Sequence, residues 1–230
     1  MNIYAIGDLH LSGHPPLKPM SIFGKEWEGH WETIAAHWQT SVNQDDLVII
    51  CGDTSWAMRL AQATDDLNSI ADLPGQKIIV RGNHDFWWSS LAKMEEQTDR
   101  RLFFLHNNFF AGGRLAICGS RGWLTPDAED FSPEDEKIYQ RELERTERSL
   151  ILAQNAGYKE ILLALHYPPL YNTGSPTGFS RLCEQYKVRH CLYGHLHATS
   201  ISLGWQGERA GTHYHLVSAD ALKFNIKKIQ

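Results

Sequence analysis

The chain has 230 residues, 42% of them hydrophobic and 21% charged, which suits an ordinary soluble globular protein with one well-buried core or two small ones. Its formal net charge of -5 argues against a general nucleic-acid binder that relies on bulk positive charge, although a small nucleic-acid substrate held at a metal site stays open. No apolar stretch approaches the length that spans a bilayer, so no membrane partner is expected.

The first predicted strand, Asn2 to Ile6, reaches Gly7-Asp8 at once and is too short for a secretory apolar region, which predicts a cytoplasmic protein. Residues 11 to 29 form a long loop in which Pro15, Pro16 and Pro19 forbid regular structure, while Phe23 and Trp27 suggest a packed flap. A helix is predicted over His30 to Ser41, with Trp31, Ile34, Ala35 and Trp38 on one stripe. Asp46 to Cys51 is a buried strand, Arg59 to Asp72 a helix closed by Pro74-Gly75, and Lys77 to Val80 a further strand. This strand–helix alternation predicts a mainly parallel sheet with helices on its faces.

Ser90 to Gln97 reads as a short helix, followed by strands Leu102 to Leu105 and Leu115 to Cys118 joined through Gly112-Gly113. Ser132-Pro133-Glu134-Asp135 starts a helix well: a hydroxyl cap, proline in the first turn, and acids at the positive end of the dipole. That helix runs to about Ala156, and Glu144 and Arg148, four apart, belong to a solvated face. Then come strand Ile161 to Leu165, a loop over 171–178, a helix near Ser180 to Gln185 and strand His190 to Tyr193. Tyr214 to Ser218 and Lys223 to Ile229 alternate as antiparallel strands would. With no repeat and no separating linker, residues 1–230 read as a single domain.

Chemistry-bearing residues gather at the strand ends: Asp8-Leu9-His10, Gly52-Asp53, Gly82-Asn83-His84-Asp85, His166, and Gly194-His195-Leu196-His197. Alternation along a strand predicts that Asp8 and His10 project together, and likewise His195 and His197. A glycine before Asp53, Asn83 and His195 lets the backbone turn as the donor projects. Clusters at the carboxyl ends of sheet strands converge where open α/β sheets bind ligands.

Seven donors (Asp8, Asp53, Asn83, His10, His166, His195 and His197) exceed the needs of one catalytic ion with an open position. They suit two divalent first-row ions, Mn, Fe, Zn or Co, with Asp53 the candidate bridge. Two such ions outweigh two carboxylates, so the local field would favour a small phosphorylated substrate. His84 is left to donate a proton to the leaving-group oxygen or stabilise its charge, with Asp85 expected to orient its ring and raise its pKa.

As an ordered set, these five segments resemble the motifs of the calcineurin-like metallophosphoesterase superfamily, over residues 8 to 197. The resemblance implies a two-sheet α/β sandwich with a dinuclear centre at the sheet edges, manganese being the favoured metal. It implies one ion on Asp8, His10, Asp53 and His197, and another on Asp53, Asn83, His166 and His195, with a bridging hydroxide as nucleophile. The chain departs from the protein-phosphatase branch. There a Val-Asp-Arg-Gly type sequence carries a phosphate-clamping arginine, and here Thr54-Ser55-Trp56-Ala57-Met58 stands.

The expected activity is therefore metal-dependent hydrolysis of a phosphate mono- or diester. A silent metal-binding scaffold and a small nuclease-type phosphodiesterase remain alternatives. Trp56, Trp87, Trp88 and Trp123 are expected mainly to pack, or else to form a rim that stacks a flat leaving group. Arg59, Arg81 and Arg121 are candidate phosphate clamps with surface ion pairing as the default. His213 and His215 have the spacing of strand ligands but no carboxylate beside them in the sequence. The four cysteines form no C-x-x-C pair and are expected to be reduced core residues.

Overall fold

The computed structural model describes residues 1–230. Four strands, β1 (Ile3–Ile6), β2 (Leu47–Cys51), β3 (Gln76–Val80) and β4 (Leu102–Leu105), pair in parallel in that order. They are linked by helices α1 (His30–Ser41), α2 (Leu60–Ala71) and α3 (Leu91–Gln97). A short β11 (Lys227–Lys228) pairs antiparallel on the outer side of β1 and completes a five-stranded sheet.

The second sheet has the order β5 (Phe109–Gly112), β6 (Leu115–Gly119), β7 (Glu160–Ala164), β8 (His190–Tyr193), β10 (Thr212–Leu216), β9 (Gly207–Arg209). Helices α4 (Pro133–Asn155) and α5 (Gly178–Gln185) lie on it. Ser132 and Asp135 close a reciprocal cap at the start of α4 with Pro133 behind it, as the sequence predicts.

Period-2 alternation sorts the strand side chains into three cores. Ile3, Ala5, Leu47, Ile49, Ile78 and Val80 face Ile117, Leu162, Ala164 and Leu192 between the sheets. Tyr4, Ile6, Val48 and Ile50 face the other way, onto Ile34 and Trp38 of α1 and Leu67 and Ile70 of α2. On the second sheet, Cys118, Leu163 and Cys191 pack on Tyr139 and Leu150 of α4 and on Phe179 and Leu182 of α5. The result is the expected two-sheet sandwich with helices outside.

Three expectations are corrected. The turn at Gly112-Gly113 does not join β4 to β6; it joins β6 to β5, a strand absent from the sequence reading, and the chain changes sheets between Leu105 and Phe109. Phe109 and Phe110 pack only partly, which gave them no clear period. Second, β10 runs parallel to β8 and antiparallel to β9, and the last segment contributes only the two residues of β11. Third, the loop over 11–29 holds two short 3-10 turns, and of its two flap aromatics only Trp27 is buried, while Phe23 is 62% exposed.

All four cysteines are free and buried. No helix is long and apolar enough to cross a membrane.

Candidate metal centre

All seven candidate donors converge at the carboxyl ends of β1, β2, β3, β7 and β8. The polypeptide keeps pairing beyond the strands. Asp8 N–H donates to Gly52 O at 2.9 Å and His10 N–H to Asp53 O at 2.9 Å, which lays the first motif along the second. The backbone route differs from the one expected. Asp8, His10, Asp53 and His195 all have positive φ, between 48° and 71°, so the left-handed kink itself aims these side chains and strand alternation does not. Leu9, between them, is nonetheless turned fully into the core.

The donors fall into two groups that share Asp53. Around one, Asn83 Oδ1, His166 Nε2 and His195 Nδ1 lie 2.7, 3.1 and 3.2 Å from one another. The two distances from His195 match the roughly 3.0–3.4 Å between ligands on one ion with bonds near 2.1 Å, and the 2.7 Å between Asn83 and His166 is somewhat shorter. Around the other, ligand atoms of Asp8, His10 and His197 lie within 4.8 Å, with His197 Nε2 3.3 Å from Asp8 Oδ1. Asp53 Oδ2 is 3.5 Å from His166 Nε2 and 3.8 Å from His10 Nε2, between the two groups.

Ring orientation is set from behind. His166 Nδ1 donates to Cys51 O at 2.9 Å, which leaves Nε2 a lone pair facing the centre. His197 Nδ1 lies 2.9 Å from Asp220 Oδ1, leaving Nε2 toward Asp8. Asp220 escaped the sequence reading because it stands 23 residues after His197 in no motif; only the fold brings it near.

The donor set fits divalent ions on physical grounds. His10 is 5% exposed, yet its ring makes no hydrogen bond: Nδ1 has no partner and Nε2 lies 3.8 Å from the Asp53 carboxylate. Buried polar groups seldom go unmatched. Burial, and then the charge of Asp8, pushes the Asp53 carboxyl well up, so the surrounding groups offset its buried charge only in part. Burial also pushes His10 and His195 down to about 3, keeping both imidazoles neutral as ligands must be. Burial opposes charge on His197, but Asp8 and Asp220 outweigh it and lift the imidazole to about 10. A cation in the centre would take over the neutralising role of that proton.

Close packing leaves no room for larger residues. A Cβ at Gly82 would strike Asp53, and one at Gly52 would come within 2.6 Å of His166 Nδ1.

His84 lies at the mouth, half-buried, its ring 4.6 Å from Trp56 and 5.9 Å from His10, while its backbone N–H donates to Asp53 Oδ1 at 2.8 Å. Burial, followed by the charge of His166, lowers its pKa. The expectation for Asp85 is corrected. Its fully buried carboxylate does not touch the His84 ring; it accepts from Thr54 N–H (2.8 Å), Ser55 N–H (3.2 Å), Gly82 N–H (2.7 Å) and Trp87 Nε1 (2.9 Å). Asp85 thus ties the Asp53 loop to the Asn83 loop.

Trp56 stacks on His10 at 4.7 Å and Trp27 meets both His10 and His197 edge-on, whereas Trp87 is core. Trp88 packs partly against the first-sheet core, and Trp123 lies under the Arg121 guanidinium. Of the candidate clamps, Arg59 is exposed, Arg81 half-buried, and Arg121 pairs with Glu142 at 3.3 Å, an ion pair that is buried and not at the surface as expected.

A two-sheet sandwich with paired donor clusters at its strand ends defines a metallophosphoesterase-type protein. The fold is similar to two solved structures that carry only the fold comparison. One is the protein of unknown function AQ665 from Aquifex aeolicus: TM-score 0.52, 13% identity, covering 99% of this chain and 95% of that one. The other is TT1561 of Thermus thermophilus: TM-score 0.58, 12% identity, covering 99% and 97%. The chain belongs to the calcineurin-like phosphoesterase family, whose model matches residues 1–199. Among curated proteins it is similar to the Gene 66 proteins of Mycobacterium phages L5 and D29, at 37% identity over 84 residues and 34% over 86. Each match covers 36% of this chain and 40% of the phage protein.

Proposed function

We propose that the protein is a dinuclear metal-dependent phosphohydrolase acting on a small phosphorylated substrate, a phosphate mono- or diester, with manganese as the favoured metal. The observation that carries this reading is the position of Asp53 Oδ2 between two donor groups. Asp8, His10, Asp53 and His197 would hold one ion, and Asp53, Asn83, His166 and His195 the other. Bound there, two divalent ions supply Lewis acidity toward the phosphoryl oxygens and an activated water as nucleophile.

The remaining work falls to the chain. The lowered pKa of His84 keeps its imidazole neutral, so its ring N–H stabilises charge on the leaving-group oxygen by a hydrogen bond. Asp85 fixes the loops that carry Asp53 and His84. Trp56 and Trp27 shield the His10 side from water. Beside His10, a cleft of about 470 Å³ lies between residues 12–21 and α1 and would take the part of the substrate beyond the phosphate.

The test is manganese-supported hydrolysis of a chromogenic phosphodiester and its monoester, with Asp53→Ala as the blank. Turnover of either that disappears in Asp53→Ala supports the reading. No turnover of either, with two metals bound, would transfer the protein to the scaffold class.

A further inference from the structure

Three histidines that the dinuclear centre does not use share one face of the second sheet. His190 opens β8, and His213 and His215 lie on the neighbouring β10, whose parallel register sets His213 beside His190. Two residues apart on one strand, His213 and His215 project to the same side. The His190 ring stacks on His213 at 5.5 Å between centroids and lies 5.3 Å from His215. His190 Nδ1 is 3.0 Å from His215 Nε2. The carboxylate missing from the sequence neighbourhood comes from β9: Glu208 pairs with His213 in the antiparallel register, its Oε2 3.8 Å from His213 Nε2.

We propose that His190, His213 and His215 bind one late first-row divalent ion, Zn²⁺, Ni²⁺ or Cu²⁺, with Glu208 as a supporting or fourth ligand. Imidazole donors select these metals over Mn²⁺, Mg²⁺ and Ca²⁺, which prefer oxygen. Three imidazoles with one open or carboxylate position is an established zinc coordination set. The 3.0 Å nitrogen spacing is that of two ligands on one such ion, and His213, 47% exposed and stacked on His190, would turn inward to join them.

The protonation state of the two buried rings favours binding. Burial first, then the positive charge of Lys227, depresses His215 to about 4, and burial also lowers His190. Each ring is therefore neutral at pH 7 and carries its single proton on either nitrogen. Binding replaces the hydrogen bond between the rings by two bonds to the ion. One of the two facing nitrogens holds the proton of that hydrogen bond, so its ring shifts to the other tautomer on binding. The protons then sit on His190 Nε2 and His215 Nδ1, and none is released. Lys227 and Arg189 are the cations that oppose the ion.

This site stands apart from the dinuclear centre. From His190 the chain runs along β8 to His195, about 16 Å at ~3.3 Å per residue. Both strands thus carry imidazoles at one end and lead to centre residues at the other, β8 to His195 and His197, β10 to Asp220.

The experiment is metal analysis of chelator-stripped protein equilibrated with Zn²⁺, comparing wild type with the isosteric pair His190→Gln/His215→Gln. Wild type should hold one zinc equivalent more per chain, with manganese-supported phosphoester hydrolysis equal in the two proteins. Equal zinc contents would overturn the proposal. Should the double variant fold poorly, the surface change His213→Ala decides, because it should weaken zinc binding to the stripped chain at least tenfold at this site. A zinc isotherm identical to wild type would overturn the three-imidazole assignment. Failure of the dinuclear reading would show as missing zinc in both proteins, with the one-equivalent difference intact.

Discussion

Asp220 lies 2.9 Å from His197 Nδ1, and its other carboxylate oxygen accepts the N–H of Ala198 at 2.9 Å. A loop beyond β10 thereby fixes both the ring and the backbone of a residue at the end of β8. Carboxylates behind metal-bound histidines set the tautomer and raise ligand basicity, and their loss typically costs 10–100-fold in metal affinity. Asp220→Ala should weaken metal binding by about that factor. Activity at saturating manganese should recover most of its wild-type level. A manganese titration of activity checks this, and an unshifted midpoint would show that His197 needs no support.

His84 is assigned to the leaving group, and its removal should depend on what leaves. Charge stabilisation by a positioned group contributes about 10²–10³-fold, and more as the leaving oxygen becomes more basic. His84→Ala should therefore lose little activity on a nitrophenyl ester and far more on an alkyl ester, with both metals retained. Equal losses on the two substrates would assign His84 to substrate binding.

Asp85 presents two oxygens to four donors in a fully buried site. Asp85→Asn keeps the shape but turns one oxygen into an NH₂ group facing an N–H. An unmatched buried donor costs about 1–3 kcal/mol. The variant should unfold at correspondingly lower urea and lose turnover as the Asp53 and Asn83 loops part. Wild-type stability with normal turnover would remove Asp85 from the framework of the centre.

Asp46 gives a prediction in pH. The Asn2 N–H donates to it at 2.6 Å, burial opposes, and the Asn43 N–H adds a bond at 3.0 Å, so its carboxyl is held down to about 2 against an ordinary 3.8. Between those values the unfolded chain binds more protons than the folded one, so stability rises with pH. The contribution is complete above about pH 5 and fades as pH falls through 4 toward 2. Asp46→Asn should lower neutral-pH stability by roughly 1–3 kcal/mol and flatten the wild-type loss between pH 5 and 2. Urea unfolding of the metal-free proteins across that range measures the difference, and parallel curves would refute it.

The donors were legible because metal chemistry narrows residue choice and strand ends place it: Asp8, Asp53, Asn83, His166 and His195 each follow an apolar run. Asp220 was not, since a carboxylate in a turn carries no signal without its partner. Asp85 was misread for the opposite reason: adjacency to His84 suggested a contact, whereas the tight turn sends its carboxylate backwards to Gly82 N–H. The alternation rule gave the right convergence for Asp8 and His10 through the wrong backbone. A positive φ at a non-glycine residue is a tertiary imposition that local sequence does not announce. The pairing of β8 with β10 was equally hidden, and with it the approach of Glu208 to His213.

The centre also has a mechanical consequence. Asp8, His10, Asp53 and Asn83 follow strands of the first sheet, while His166, His195 and His197 follow strands of the second. Ions held between them would rivet the two sheets together, and rivets that hold only the assembled form shift its unfolding by mass action, by RT ln(1 + [M]/Kd). Free metal concentration would then be a thermostat of the whole molecule: each tenfold rise above Kd would add about 1.4 kcal/mol per ion to its resistance to unfolding, and chelation would leave the sheets joined by apolar packing, backbone bonds and a few side-chain contacts such as His166 Nδ1 to Cys51 O.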